Sequence, residues 1–173
     1  MIQAGDKILV KPLRNIISEI ISGKVNSLYS HVEPIVDSRG GALDCTFPRN
    51  RIKSISQYFH GKHRVLIIRP AKPYTAEELL AWTAKALEKD GTFYDLFRLC
   101  SALNNKRWKM RRNMWACDTA TMDCDKAIGR HTWAEFPFVS YEMYHILARE
   151  GIYKIVYQAE RPTMGDFQKL VRG

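Results

Sequence analysis

The chain has 173 residues, 46% of them hydrophobic and 26% charged, which is enough apolar material to close one core, and it has no run long enough to span a bilayer. A net charge of +9 with a pI near 9.5 suits attraction to nucleic acid, an anionic envelope polymer or a membrane surface, without choosing among them. Cys45, Cys100, Cys117 and Cys124 form no CxxC pair and no dense framework, so a disulfide scaffold is excluded and reduced thiols are expected.

The opening MIQAGDKILV lacks the order of a signal peptide, so a cytoplasmic protein is expected, with a non-classical or phage-associated export route left open. GDKILV reads as a short strand, and LRNIISEIISGK as a short helix stopped by Gly23. SHVEPIV and ALDCTF flank the turn DSRGG, whose paired glycines suit a tight reversal, so an antiparallel hairpin is predicted. Pro34 removes a ladder donor there, which makes its strand an edge or gives it a bulge. HRVLIIRP, with four aliphatics in a row, reads as a strand covered on both faces.

YTAEELLAWTAKALEKDG is the clearest helix: Thr75 caps it, Glu78 completes a capping box, and Leu79, Trp82 and Ala86 share a face. FYDLFRLCSALNN reads as another helix, with Cys100 as a core residue. A further helix is predicted from about Cys117 to Ile128, ended by Gly129. SYEMYHILAREG adds a helix, IYKIVYQ a last strand and MGDFQKLVRG a terminal helical turn. No repeat or linker interrupts the chain, so residues 1–173 are expected to form one α+β domain, with helices packed on a mostly antiparallel sheet.

A thiol becomes nucleophilic when a helix N-terminus or a neighbouring imidazole favours its thiolate. Cys117 stands at a predicted helix start, whereas Cys124 lies two turns further on without terminal N–H groups. His31 is the candidate base and Asp44 its orienter, because an imidazole needs a second hydrogen bond to hold its tautomer, and neighbouring strands can present one side chain each to the same face. Spacing alone leaves the strand register open, and with it the ordinary reading of His31 and Asp44 as surface or turn residues.

The succession AGDKILV, YSHVEPIV, ALDCTFPRNRIKSISQYF, HRVLIIRP, TAEELLAWTAKALEKDGTFYD and MWACDTAT resembles the circularly permuted NlpC-type cysteine hydrolases, the papain-like group that includes YiiX-like enzymes. The resemblance covers about residues 4 to 130 as an ordered pattern. It places the group's Gly-Asp on Gly5 and Asp6, its Ser-His on Ser30 and His31, its acidic residue on Asp44, its Tyr-Asp on Tyr94 and Asp95, and its cysteine on Cys117. It implies a papain-like fold in which the histidine precedes the cysteine, and hydrolysis of amide bonds in peptides, including cell-wall peptides, with acyl chains or thioesters as the alternative. The sequence departs from the group at Asp44, where glutamate is common, and at Asp118, where serine is common. Tyr94 and Asp118 are the residues placed at the oxyanion and substrate.

The basic cluster KRWKMRR offers Lys106, Arg107, Lys109, Arg111 and Arg112 for an anionic polymer, with Trp108 able to stack on a base or sugar. Oligonucleotide binding is the weaker reading of this cluster, and a catalytically inactive basic binding domain is the rival to the enzyme. No cofactor and no metal are expected: Cys117 and Cys124 are too far apart for a knuckle, and His60 and His63 flank a turn without a cysteine pair.

Overall fold

A computed structural model describes residues 1–24, 28–96, 114–130, 148 and 150–172. In chain order these form β1 (Lys7–Pro12), α1 (Ile16–Lys24), β2 (His31–Pro34), β3 (Gly41–Asp44), β4 (Arg51–Ser54), a 3-10 turn (Ile55–Tyr58), β5 (His63–Pro70), α2 (Ala76–Leu87), β6 (Phe93–Tyr94), β7 (Met114–Trp115), α3 (Cys117–Ala127), β8 (Tyr153–Glu160) and α4 (Met164–Arg172). The main sheet has the order β2-β1-β5-β8, antiparallel throughout, while β3-β4 and β6-β7 form separate two-stranded pieces. The fold class read from the sequence, α+β with helices on an antiparallel sheet, is the observed one.

Alternation along the sheet divides the core. Leu9, Val32, Leu66 and Ile68 point to one side, where they meet Cys117 and Ala120 of α3 and Tyr153. Ile8, Val10, Val65 and Ile67 point to the other, against Ile55, Tyr58, Phe59 and α4 residues Phe167 and Leu170. β5 is thus covered on both faces, as its aliphatic run requires. The terminal segment, read as a single turn, is a nine-residue helix because Phe167 and Leu170 give it an apolar stripe for this second face. α2 starts on the predicted capping box, with the Thr75 side chain accepting from the Glu78 N–H at 3.1 Å and the Glu78 carboxylate accepting from the Thr75 N–H at 2.8 Å.

The predicted hairpin is corrected. Its turn exists: Gly40 takes φ +88°, Asp37 accepts the N–H groups of Arg39 and Gly41, and Val36 donates to the Gly41 carbonyl at 2.7 Å. Beyond an isolated Ile35–Ala42 bridge the strands part, β2 to β1 and β3 to β4. Ile35 spends its N–H and carbonyl on Asp6 and Gly5, so the even-numbered positions face β3, and Pro34 has no N–H to offer there. β2 is accordingly an edge strand.

Two other readings change. α1 begins after Asn15, whose side chain accepts the Ser18 N–H at 3.0 Å, and runs one residue past Gly23. Phe93 and Tyr94 form a short strand parallel to Met114–Trp115 instead of opening a helix. Most of the helices predicted from FYDLFRLCSALNN and SYEMYHILAREG, Cys100, and the whole basic cluster from Lys106 to Arg112 lie outside the described residues.

Candidate active site

β1 pairs Val10 with His31 and Ile8 with Glu33, so His31 and Glu33 share one face of the edge strand. His31 Nε2 lies 2.9 Å from Glu33 Oε1 and 3.4 Å from Asp44 Oδ1. Asp44 ends β3, and Lys53 of the paired strand β4 reaches its other oxygen at 2.6 Å. Burial opposes the Asp44 charge, but hydrogen bonding and attraction from His31, with Lys53 behind them, hold its carboxyl down to about 2. Glu33 is fully shielded from solvent and accepts the Tyr58 hydroxyl at Oε1.

Cys117 is the first residue of α3, and its side chain hydrogen-bonds the His31 ring. Ala116, the residue before it, offers no side-chain cap to the helix; instead its N–H donates to the Thr119 hydroxyl at 3.1 Å. Burial disfavours a charged His31, yet Cys117, Asp44 and Glu33 outweigh it and raise the imidazole well above its ordinary range. With Nε2 turned to the carboxylates, Nδ1 is the ring nitrogen left for the sulfur. Cys117, His31 and Asp44, named from the sequence on three separate elements, are brought together.

Tyr94 packs against the cluster that contains Cys117. Burial first, then the neighbouring Cys117 and Asp118, push its phenol far above the ordinary range, so it stays protonated as a donor. Asp118 is buried in the first turn of α3. Cys45 is as buried as Cys117, and burial pushes its thiol well up, with Cys117 among the nearby groups adding to the shift. Cys124 donates its thiol to the Ala120 carbonyl at 3.2 Å, and burial lifts it to about 12. It is an inert core residue, two turns from the site.

Sequence reading missed Glu33, Lys53 and Tyr58. Glu33 carried a signal, since position i+2 on a strand faces the same way as His31. Lys53 and Tyr58 carried none, because β4 and the 3-10 turn were not recognised. The donors that cluster are others than the pairs weighed for metal from the sequence: one ligand atom each from His31, Glu33 and Asp44 lie within 4.8 Å of one another.

What holds α3 in place is buried. Lys7 of β1 and Asp125 of α3 pair at 3.0 Å, with the Trp82 indole N–H donating to the same carboxylate oxygen at 2.9 Å. Lys7 also lies 4.8 Å above the Tyr153 ring. Burial works against the Lys7 charge, but Asp125 and Tyr74 more than offset it, and its ammonium is held above the ordinary range. At the other end of α3, Arg130 forks onto Glu78 of α2, with Nε donating to Oε1 at 2.8 Å.

An α+β arrangement with helices packed on an antiparallel sheet is the fold of the YiiX-like kind. The chain is similar to the crystal structure of the metalloprotein YiiX from Escherichia coli O157:H7, with a TM-score of 0.52 and 16% identity, over 73% of this chain and 66% of that one, just under two thirds. No protein-family model and no curated protein sequence match. Among the described residues no helix is long and apolar enough to cross a membrane.

Proposed function

We propose that the chain is a cysteine hydrolase of the circularly permuted NlpC-type group that cleaves an amide bond in a peptide, cell-wall peptides included. The observation that carries this reading is the His31 ring, hydrogen-bonded to Cys117 and paired with acidic side chains at its far nitrogen. Cys117 gives its proton to His31 and attacks the carbonyl carbon. Backbone N–H groups at the start of α3 and the Tyr94 hydroxyl receive the charge that develops on oxygen. His31 then returns its proton to the leaving amine, and water, deprotonated by the same ring, releases the acyl group from sulfur. Asp44 and Glu33 keep the ring aimed and stabilise its charged form. The YiiX-like fold is compatible with this chemistry. An acyl or thioester substrate uses the same steps with a different leaving group.

The test is mass spectrometry of the intact chain after incubation with a panel of peptides and acyl thioesters. Trapping of an acyl group on Cys117 that vanishes in both Cys117→Ala and His31→Ala, each folded by circular dichroism, is the expected result. A Cys117→Ala chain with full turnover would refute the reading and leave a binding role.

A second reading starts from the structurally similar YiiX, which is described as a metalloprotein. In the present chain Glu33 Oε2 is buried without a hydrogen-bond partner and Asp44 Oδ1 has only the long 3.4 Å approach of His31 Nε2, because one Nε2 proton serves only one carboxylate well. His31, Glu33 and Asp44 fit a divalent cation of zinc type, which would take the place of that proton and engage both acids. Cobalt titration followed by visible absorption checks it: a saturable signal lost in Glu33→Gln and kept in Cys117→Ala supports the cation, and no saturable signal excludes it.

A further inference from the structure

A cavity opens where β1 ends. Arg14, Lys62, His63 and Arg161 line it, with Asn15 and the residues beside them, and its volume is about 420 Å³. Three connections converge there: the segment after β1, the turn before β5 and the first residue after β8. They are laced by backbone hydrogen bonds, Leu13 N–H to the Lys62 carbonyl at 2.9 Å, Gly61 N–H to Pro162 at 2.8 Å and Arg161 N–H to His63 at 2.8 Å. The cations are therefore presented on a tied frame.

Nothing neutralises them among the described residues. The neighbouring cations are paired, Lys11 with Glu19 and Arg64 with Glu160, but no described carboxylate pairs with Arg14, Lys62 or Arg161. His63 adds a buried Nδ1 without a hydrogen-bond partner. Asn15 caps α1, which brings the positive end of a nine-residue helix to the same rim. Arg161 takes φ +59°, the only described non-glycine residue in the left-handed region. An arginine is strained at a position glycine would occupy freely, and strain of this kind persists where the side chain is needed.

We infer that this cavity binds a phosphate-bearing ligand, its oxyanion held by Arg14, Lys62 and Arg161. The volume leaves room for an organic substituent beside the phosphate. Because β1 places Val10 opposite His31, the cavity opens at Pro12, about 7 Å further along the strand. The site makes no use of Cys117 or His31, and it stands whether or not the hydrolase reading holds.

The test is titration calorimetry of the full chain with inorganic phosphate, with glycerol phosphate, and with phosphatidylcholine vesicles containing phosphatidylglycerol. Saturable binding of at least one probe is expected. Lys62→Glu and Arg161→Gly should each weaken it by about tenfold or more, whereas Arg39→Glu, in an exposed turn elsewhere, should not. Arg161→Gly should at the same time raise the melting temperature, because it relieves the backbone; a merely structural arginine would not join lost binding to gained stability. Binding of the soluble phosphates points to a free ligand, and binding of vesicles alone to a lipid headgroup. No saturable binding of any probe, or equal weakening by Arg39→Glu, overturns the inference.

Discussion

Lys7 and Asp125 lie 118 positions apart and form an ion pair 3.0 Å long, with both side chains fully shielded from solvent. The pair ties the second strand in the sheet order to the helix that begins with Cys117. Removing one member leaves the other charge buried and unpaired, so Lys7→Met should cost about 3–5 kcal/mol in urea unfolding. Lys7→Met with Asp125→Leu should recover most of that loss. A Lys7→Met protein of wild-type stability would show that the pair does not hold α3.

Glu33 stands nearer to the His31 ring than Asp44 does, 2.9 Å against 3.4 Å. Either acid alone can keep the ring oriented, so Glu33→Gln or Asp44→Asn should each lower kcat/KM by about tenfold, and the two together by about a hundredfold or more. Steady-state rates on a cleaved amide decide this. If Asp44→Asn alone abolished turnover and Glu33→Gln changed nothing, Glu33 would be a packing residue.

Gly5 holds φ +90°, and a Cβ there would sit 2.8 Å from Cδ2 of Tyr74. Tyr74 in turn touches Lys7, its hydroxyl 3.4 Å from the ammonium. Gly5→Ala should therefore destabilise the chain by about 1–3 kcal/mol through backbone strain and displacement of the ring. Thermal melts of the two proteins measure it.

How much of this was legible in the sequence depended on how local each signal was. The Thr75–Glu78 capping box, the helix start at Cys117 and the doubly covered run from Val65 to Ile68 are written within a few residues, and the structure has all three. Gly40 marked the turn after β2 correctly, but which partner each strand then chose depended on the N–H that Pro34 lacks and on β1, contributed from far earlier in the chain. Lys7–Asp125 could not be read at all, since a lysine in a strand and an aspartate in a helix each look like solvent-facing residues until the fold buries them together. Glu33 was readable from strand alternation and was passed over in favour of Asp44.

Glu78 is held below the usual carboxylate range by its hydrogen bonds from Arg130 and then from the Thr75 N–H. A depressed carboxylate stabilises the fold above its unfolded value and loses that contribution as the pH falls through the folded one, so the effect should fade below about pH 4. Glu78→Gln should be less stable than the parent at neutral pH, and the difference should be smaller at about pH 3. Urea unfolding at both pH values checks the sign; a difference that grew on acidification would contradict it.

His31 should make Cys117 the most reactive thiol of the folded chain. Cys45, Cys117 and Cys124 are all nearly closed to solvent, at 1%, 3% and 0% exposure, so accessibility does not separate them, whereas the His31 ring lies beside Cys117. Iodoacetamide labelling of the folded chain near neutral pH, read out by peptide mass spectrometry, is the direct measurement. The account predicts that Cys117 is modified first, ahead of Cys45, Cys100 and Cys124, and that His31→Ala slows its labelling by about tenfold or more. Preferential labelling of Cys124, or an unchanged Cys117 rate in His31→Ala, would contradict it.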